Sequence, residues 1–193
     1  RVAQKKTVII ITSNKGLCGS YNTNIIKAAA NFIRENDKVA LIPLGRKALD
    51  YFTRRDYPIK SSRQQLPADM TIAVTQEIIK PLIPTEPGQE IWAIYSEFIN
   101  PMVSRVRVKR VIPIDPEPEK DSALKHSHET QADAGAQTSS DCLFEPGPAE
   151  IIKLLLPRYI DVAFYQILLG ALASEHSARM LAMRSATENA SEV

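Results

Sequence analysis

The chain has 193 residues, which suits one domain or one domain with an extension and is enough to bury a substantial core. Hydrophobic residues make up 44% and charged residues 24%, as in a globular protein, and the net charge of +2 is too small to argue for nucleic acid or an anionic membrane as partner. No run of about 18 apolar residues is visible, so the sequence predicts no membrane span. Its two cysteines are too few for a disulfide framework.

Strand and helix patterns alternate in the first part of the chain. The predicted elements are a strand over Thr7–Thr12, a turn over Ser13–Ser20, a helix over Asn22–Arg34, a strand over Lys38–Leu44 and a helix over Arg46–Arg54. This order predicts a parallel sheet with right-handed crossovers. The expected fold class is therefore α/β, with a mostly parallel, Rossmann-like sheet flanked by helices.

Further elements are predicted between residues 57 and 112. They are a short strand at Tyr57–Ile59, a helix over Pro67–Ile79, and strands over Glu90–Phe98 and Val103–Ile112. The last strand is basic through Arg105, Arg107, Lys109 and Arg110. This pattern favours a charged sheet edge that discourages strand pairing, with an acidic partner subunit as the open alternative.

Changes in composition predict three regions. Residues 1–114 form the α/β domain. Residues 115–141 are polar and contain one large apolar residue, Leu124, so they are predicted to be a mobile loop. Residues 142–193 close the domain and form a long C-terminal helix, which Pro157 is expected to kink or split. His126, His128 and Cys142 have irregular spacing, so no metal site is predicted.

The longest uninterrupted helical pattern covers Arg158–Val193, 36 residues without proline and with one glycine. Such a helix would be about 54 Å long, longer than a domain of this size is wide. Apolar or small residues recur along it at alternating spacings of three and four, which predicts a seam for a partner helix, as in a coiled coil. The seam comprises Leu169, Ala173, His176, Met180, Met183, Thr187 and Ala190. The alternative is a helix that packs only on its own domain, and His176 is expected to be a packed polar residue.

Gly16 and Gly19 lie between a strand and a helix, where dinucleotide-binding folds hold pyrophosphate. The fingerprint requires three glycines in G-x-G-x-x-G, and the chain has two in G-x-x-G; the lysine and hydroxyl pair of the P-loop is also absent after them. The pattern therefore favours a tight structural turn. A nucleotide-binding oxidoreductase, with Arg46 at a 2′-phosphate, remains the alternative. Lys15 is expected to be solvated and Cys18 to be a small buried residue.

Two blocks of sequence resemble the F-type ATP synthase gamma subunit, the central rotor stalk. Ala173–Glu192 (ASEHSARMLAMRSATENASE) resembles that family's C-terminal helix, and Thr12–Ala29 (TSNKGLCGSYNTNIIKAA) resembles its first strand-turn-helix. The chain looks like the globular part of such a subunit with a stub of its shaft. The family's long N-terminal helix before Arg1 and its extreme C-terminus after Val193 are expected to be missing. A generic coiled-coil adaptor is a third class of function.

The resemblance implies a torque-transmitting subunit of a proton-translocating ATP synthase that has no catalytic residues or cofactors of its own. It implies the alpha, beta and epsilon subunits and the membrane c-ring as partners. It also implies a peripheral location on the cytoplasmic face of the bacterial inner membrane or on an organelle membrane. The residues matched to the family's shaft, for helix packing and contact with the catalytic head, are Glu175, Arg179, Met180, Met183, Ala186, Thr187 and Asn189. Those matched to the turn of its globular domain are Lys15, Gly16, Cys18 and Gly19.

Two further expectations come from the resemblance. Leu143, Phe144 and Glu145 stand where the family has a similar segment that lies against the membrane ring and the epsilon subunit, so they are expected to make those contacts. Asn14-Lys15 stands where the family more often has Asp-Arg. An ion pair made by that acid is therefore in doubt in this chain.

Overall fold

The computed structural model describes residues 6–36, 38–64, 66–67, 69–81, 88–114 and 147–191. Its elements are β1 (Lys6–Ile11), α1 (Tyr21–Glu35), β2 (Val39–Leu44), α2 (Arg46–Thr53), α3 (Ile72–Ile79), β3 (Glu90–Asn100), β4 (Val103–Ile112) and α4 (Pro148–Ser191). The loop predicted over residues 115–141 lies outside the described residues. So do the predicted contact residues Leu143, Phe144 and Glu145, together with Cys142, His126 and His128.

The four strands form one sheet in the order β2-β1-β3-β4. β1 pairs in parallel with β2 and with β3, whereas β4 pairs antiparallel with β3. The predicted α/β fold with a mostly parallel sheet is therefore confirmed. β4 lies at an edge of the sheet, as its basic pattern predicts.

Two hydrophobic cores lie on opposite faces of the sheet. Ile9 and Ile11 of β1 pack in one core with residues of α3 and α4. Val8 and Ile10 pack in the other core with residues of α1 and α2. Successive side chains of a strand point to opposite faces, so the central strand contributes to both cores and reads as a continuous apolar run. The α/β domain made of β1–β4 and α1–α3 is called the collar below.

Gly45 makes the connection between β2 and α2. Its φ is +100°, and a Cβ at this position would lie 2.1 Å from the carbonyl oxygen of Thr12. Both the backbone conformation and the close approach therefore exclude a side chain. The Thr12 hydroxyl oxygen accepts a hydrogen bond from the backbone N–H of Ala48 at 2.9 Å, which ties the end of β1 to the first turn of α2.

The helix predicted to start at Pro67 begins at Ile72 instead. Thr71 is its N-cap, because its hydroxyl oxygen accepts a hydrogen bond from the backbone N–H of Val74 at 3.3 Å. Ile79 at the end of this helix is buried, whereas Ile72 at its start is 45% exposed.

The short strand predicted at Tyr57–Ile59 is wrong. An isolated parallel bridge between Leu41 and Ile59 forms in its place. Pro58 has no backbone N–H, so it cannot donate to a ladder of hydrogen bonds. Its carbonyl still accepts a hydrogen bond from the backbone N–H of Leu41 at 3.0 Å.

α4 is a single helix of 44 residues with Pro157 inside it. Of the two predicted effects of this proline, the split is therefore wrong, and the kink stays a prediction. Proline removes the hydrogen bond to the carbonyl four residues earlier, which here belongs to Lys153. Residues 152 to 159 are all exposed. Water can therefore hydrogen-bond the freed carbonyl, and the helix continues.

Candidate functional site

The junction between α4 and the collar is the candidate functional site, and α4 meets the collar along one face. Phe164, Ile167, Leu168, Ala171 and Ser174 are at most 3% exposed. Their spacing places them on one side of a helix, in the apolar core that contains α3. The middle of α4 is therefore a core element of the collar.

The predicted seam lies on the opposite side of α4. Leu169, Met180 and Met183 are 45%, 55% and 47% exposed, and of the other seam residues only Ala173 is partly covered. With 3.6 residues per turn, the centre of the seam is roughly 150° from the centre of the buried face. A helix that packs only on its own domain would not need this second apolar stripe. His176 is exposed on this seam, so its packing against a partner helix stays a prediction.

The seam extends further towards the N-terminus of α4 than its seven predicted residues. Ile152, Leu155, Tyr159 and Val162 continue the spacing of three and four in the same phase, with Gln166 joining them to Leu169. The first four are 60%, 52%, 54% and 40% exposed. This spacing is visible in the sequence. It was not included in the predicted seam because a break in the helix was predicted at Pro157.

Among the described residues, side-chain hydrogen bonds join the collar and α4, and none of them was predicted from the sequence. They run from Tyr21 Oη to the Ala171 carbonyl at 3.1 Å, between the Ser96 and Ser174 hydroxyls at 2.8 Å, from Ser177 Oγ to the Pro101 carbonyl, and from Gln76 Nε2 to Asp161 Oδ2. Ser174 and Ser177 are three residues apart and so lie on neighbouring parts of one helix face. Those two serines were the available signal, but their partners are distant in sequence.

Tyr21, the first residue of α1, is the most deeply buried polar side chain of the junction that can ionise. Burial raises the pKa of its phenol far above the ordinary range, and the carboxylate of Glu175 raises it further. Glu175 is itself paired with Arg179, with Nη2 and Oε1 2.6 Å apart and 14% and 19% of the two side chains exposed. These two predicted shaft residues therefore lie at the junction. The other five predicted shaft residues, Met180, Met183, Ala186, Thr187 and Asn189, are exposed.

The turn between β1 and α1 has the predicted residue roles. Cys18 is 2% exposed, and its Sγ accepts a hydrogen bond from Asn22 Nδ2 at 3.0 Å, so its role as a small buried residue is confirmed. Lys15 and Gly16 are exposed. Gly19 has a φ of +55°, which favours glycine. Together they form a tight turn.

The side chain of Asn14 supports the start of α2. Its Oδ1 accepts a hydrogen bond from the backbone N–H of Arg46 at 3.3 Å. The Arg46 side chain in turn approaches Asp50, with Nε and Oδ2 3.6 Å apart. An amide at position 14 therefore makes a structural contact that needs no negative charge.

α4 covers the part of the fold where a dinucleotide would bind. Dinucleotides bind in the crevice at the carboxyl ends of the strands, beside the first helix. Here Tyr21 at the start of α1 donates a hydrogen bond to the Ala171 carbonyl of α4, and the hydroxyls of Ser96 in β3 and Ser174 in α4 share another. A cavity of about 420 Å³ remains beside Gly19, Arg105 and Ala178. Within the described ranges, no group of three or more His, Cys, Asp or Glu side chains is placed to hold a metal ion.

By length and composition alone, α4 is long and apolar enough to cross a membrane. It contains an 18-residue window with a mean hydropathy of 1.2, of which 22% is buried. The sequence-based expectation of no candidate span was therefore too strict. Part of this apolar character belongs to the collar core, since Phe164, Ile167 and Leu168 lie in it.

The fold and the junction define a class of protein: an α/β domain that holds a long helix by one face and exposes a coiled-coil seam on the other. A family model described as ATP synthase matches residues 1–193. The ATP synthase gamma chain of Pelotomaculum thermopropionicum is 36% identical over 100% of this chain and 64% of its own length. The gamma chain of Roseiflexus castenholzii is 32% identical over 100% of this chain and 63% of its own length.

The chain therefore belongs to the ATP synthase gamma-chain family, which confirms the resemblance found in its sequence. It spans a little under two thirds of the length of these relatives. Solved structures have the same fold. The central stalk and c-ring structure from Tetrahymena thermophila mitochondrial ATP synthase has a TM-score of 0.70 at 21% identity, over 95% of this chain and 77% of that one. The rotor of Euglena gracilis mitochondrial ATP synthase has a TM-score of 0.64 at 20% identity, over 96% and 67%.

Proposed function

We propose that this chain is the collar and shaft helix of the central-stalk rotor subunit of a proton-translocating F-type ATP synthase. In this role it transmits torque between the membrane ring and the catalytic head. The observation that carries the proposal is the division of α4 into a face buried in the collar core and an opposite, exposed seam. A helix anchored in this way moves with its collar, and its free face can pair with a second helix of the shaft.

The end of α4 provides the surface that contacts the head and the second shaft helix. Met180 and Met183 are exposed and unbranched, so they can adapt to a surface that changes as the shaft turns. Ala186, Thr187 and Asn189 are small or polar and exposed on the last turns. Thr187 Oγ1 donates a hydrogen bond to the Met183 carbonyl at 3.0 Å, so this hydroxyl is satisfied within its own helix.

The base of the shaft needs to resist twisting relative to the collar. The half-buried pair of Glu175 and Arg179 and the hydrogen bonds of Tyr21 and Ser174 lie at this base. The turn made of Lys15, Gly16, Cys18 and Gly19 supports Tyr21, since it leads directly into α1. We assign these groups to mechanical coupling. Catalysis then belongs to the partner subunits, and the chain needs no cofactor.

The proposed partners are the alpha and beta subunits of the head, the epsilon subunit and the membrane c-ring. Membrane association occurs through these partners, with no nucleic acid involved. The proposed location is the cytoplasmic face of the bacterial inner membrane, with an organelle membrane as the other option.

Titration of the chain with ATP and NAD(P) is expected to show no binding. Micromolar binding that depends on Gly16 or Gly19 would instead support the oxidoreductase alternative.

The experiment for the shaft uses the full-length subunit assembled with alpha and beta subunits. Replacing both Met180 and Met183 by serine is expected to reduce co-purification with the head or ATP-driven rotation at least about fivefold, because two apolar contacts are lost from the shaft surface. Met102→Ser is the matched control, since Met102 is 80% exposed but lies outside α4. Unchanged assembly and rotation of the double variant would contradict the shaft assignment.

We also propose that Leu143, Phe144 and Glu145 contact the membrane ring and the epsilon subunit, as the family resemblance implies. Two apolar residues beside an acid suit an interface, where the carboxylate can make a charge-assisted hydrogen bond. Replacing Phe144 by serine and Glu145 by lysine should leave the domain folded and weaken assembly with the ring.

The matched control for this variant is Ile72→Ser with Glu77→Lys, which replaces a large apolar residue by serine and a glutamate by lysine at exposed positions of α3. Both doubly substituted subunits are assembled with the membrane ring and assayed for proton-driven ATP synthesis. If the Phe144 and Glu145 variant assembles and couples like the parent, the contact assignment is wrong.

A further inference from the structure

Leu17, in the turn between β1 and α1, combines two features that a structural role does not explain. Its φ is +60°, in the left-handed region that bulky residues rarely adopt. Its side chain is 75% exposed, so it adds little to either core. Glycine adopts this backbone conformation without strain, yet the glycine beside it, Gly16, has a φ outside that region. The fold alone would therefore be served better by glycine at position 17.

Hydrogen bonds on both sides of Leu17 hold its backbone in this conformation. Before it, Ser13 Oγ donates to the Lys15 carbonyl, and Asn22 Oδ1 accepts a hydrogen bond from the Ser13 N–H at 3.0 Å. After it, Asn22 Nδ2 donates to Cys18 Sγ at 3.0 Å. Strained residues that their surroundings hold in this way are concentrated at functional sites. The turn therefore presents the Leu17 side chain to solvent in a fixed position.

Leu17 lies on the side of the collar from which the free end of α4 leaves. β1 and β3 are parallel, so their carboxyl ends lie at the same edge of the sheet, and the turn with Leu17 follows β1 at this edge. Ser177 Oγ of α4 donates to the Pro101 carbonyl just beyond β3, at the same edge. α4 continues beyond this hydrogen bond to Ser191. A protein that surrounds the free end of α4 therefore also faces Leu17.

The charged side chains beside the Leu17 turn are basic. Lys15 is exposed within the turn itself. The first turn of α2 lies against it, because the backbone N–H of Lys47 donates to the Ser13 carbonyl at 3.2 Å, and the Lys47 side chain is exposed as well. The sequence contains no acidic residue before Glu35. An apolar pocket with carboxylates at its rim would complement both the leucine and its basic neighbours.

We propose that Leu17 is an anchor residue that inserts into an apolar pocket with an acidic rim on the catalytic head. The inference rests on the proposed rotor function, in which the end of α4 contacts the head. Burial of the leucine side chain supplies affinity, and the basic neighbours select the acidic rim. Glycine at this position would relieve the backbone strain and remove the contact. Stability of the chain and binding to the head therefore place opposite demands on position 17.

Leu17→Gly separates a contact role from a structural one. In the chain it is expected to leave Tm unchanged or to raise it by up to about 4 °C, because the strain is relieved. In the full-length subunit it is expected to weaken binding to the alpha and beta subunits about tenfold, measured without ATP so that the shaft is at rest. The matched control is Lys38→Gly. Lys38 is also exposed, with a φ of +56°, but it precedes β2 at the opposite edge of the sheet, so its replacement is expected to leave binding unchanged.

Charge reversal tests the acidic rim. Lys15→Glu is expected to weaken binding to the head several-fold and to reduce its dependence on salt. Lys60→Glu, a matched change at an exposed position outside the turn, is expected to have little effect. Equal losses from the two changes would indicate general charge attraction and overturn the choice of an acidic pocket beside Leu17.

Two results with Leu17→Gly overturn the anchor itself. A lower Tm would show that the leucine side chain packs in the fold, and unchanged binding would show that it makes no contact with the head. The double variant of Met180 and Met183 is measured in parallel to keep the rotor function separate. If that variant loses binding while Leu17→Gly does not, the anchor is wrong and the rotor function stands; if neither variant loses binding, both are wrong.

Discussion

Two stretches of the same helix illustrate how differently one local pattern can be used. Between Phe164 and Ser174, α4 is buried on one face in the collar core. From Met183 to Ser191 every residue is exposed. An isolated helix of such length is marginal in water, so the exposed stretch depends on its continuity with the anchored one. Arg184 and Glu188 add a pair at i,i+4, with Nε and Oε1 2.8 Å apart.

The length of α4 follows from the helix propensity of its residues. Packing against the collar, in contrast, determines which stretch of α4 is buried and which is exposed. Both stretches have apolar residues at a helical period. The first buries them against β3 and α3, and the second presents them outward. The two stretches are expected to differ in their contribution to stability as well as in exposure.

The largest expected effect separates Phe164 from Met183. Phe164→Ala leaves a cavity in the core and is expected to lower the free energy of unfolding by about 3–5 kcal/mol. Met183→Ala, at 47% exposure, is expected to change it by no more than about 0.5 kcal/mol. Urea unfolding of both variants measures the difference. Equal losses would show that the exposed stretch packs on the collar in solution.

Two glycines provide the second test. Gly45→Ala is expected to cost about 2–3 kcal/mol, because it combines a positive φ with a clash against the Thr12 carbonyl. Gly170→Ala lies in α4, where a Cβ meets nothing within 4 Å, and is expected to add roughly 0.5–1 kcal/mol of stability through helix propensity. Thermal unfolding of the two variants should therefore move in opposite directions. A loss at Gly170 would mean that this part of α4 is more tightly packed than the structure indicates.

The smallest expected effect concerns Tyr21 at the base of the shaft. Tyr21→Phe removes the hydrogen bond to the Ala171 carbonyl and is expected to cost about 1 kcal/mol near neutral pH. Tyr57→Phe, a change at a half-buried tyrosine elsewhere in the collar, is the control. A variant as stable as the parent would show that the hydroxyl contributes nothing to the junction.

The same residue makes the stability depend on pH. The pKa of Tyr21 is raised in the folded state, while an unfolded tyrosine loses its proton near pH 10. The stabilising contribution is therefore complete below about pH 10 and is lost above it, by up to about 1.4 kcal/mol per pH unit. The free energies of unfolding of the parent and of Tyr21→Phe are compared at pH 9 to about 11. Their difference isolates the contribution of Tyr21, because the other groups titrate in both proteins. Parallel curves for the two proteins would contradict a raised pKa.

Much of the fold follows from local patterns. The β-branched run of β1, the glycines of the following turn and the proline-free C-terminal stretch led to correct strands, a correct turn and a correct long helix. The candidate residues Cys18 and Gly19 also have the predicted environments. These features were predictable because each depends on backbone preferences or periodicity within a few residues.

Other features arose only from contacts between distant parts of the chain. The segment predicted as a strand at Tyr57–Ile59 instead meets Leu41 of β2 through a single bridge at the sheet edge. The bond between Tyr21 and Ala171 joins residues 150 positions apart, and no local pattern encodes it. The sequence of α4 has apolar residues at helical spacing on more than one side. Only packing against the sheet determines which of these sides lies in the core and which remains an exposed seam. That choice depends on burial of apolar area by neighbours in space, which is why tertiary structure alone could make it.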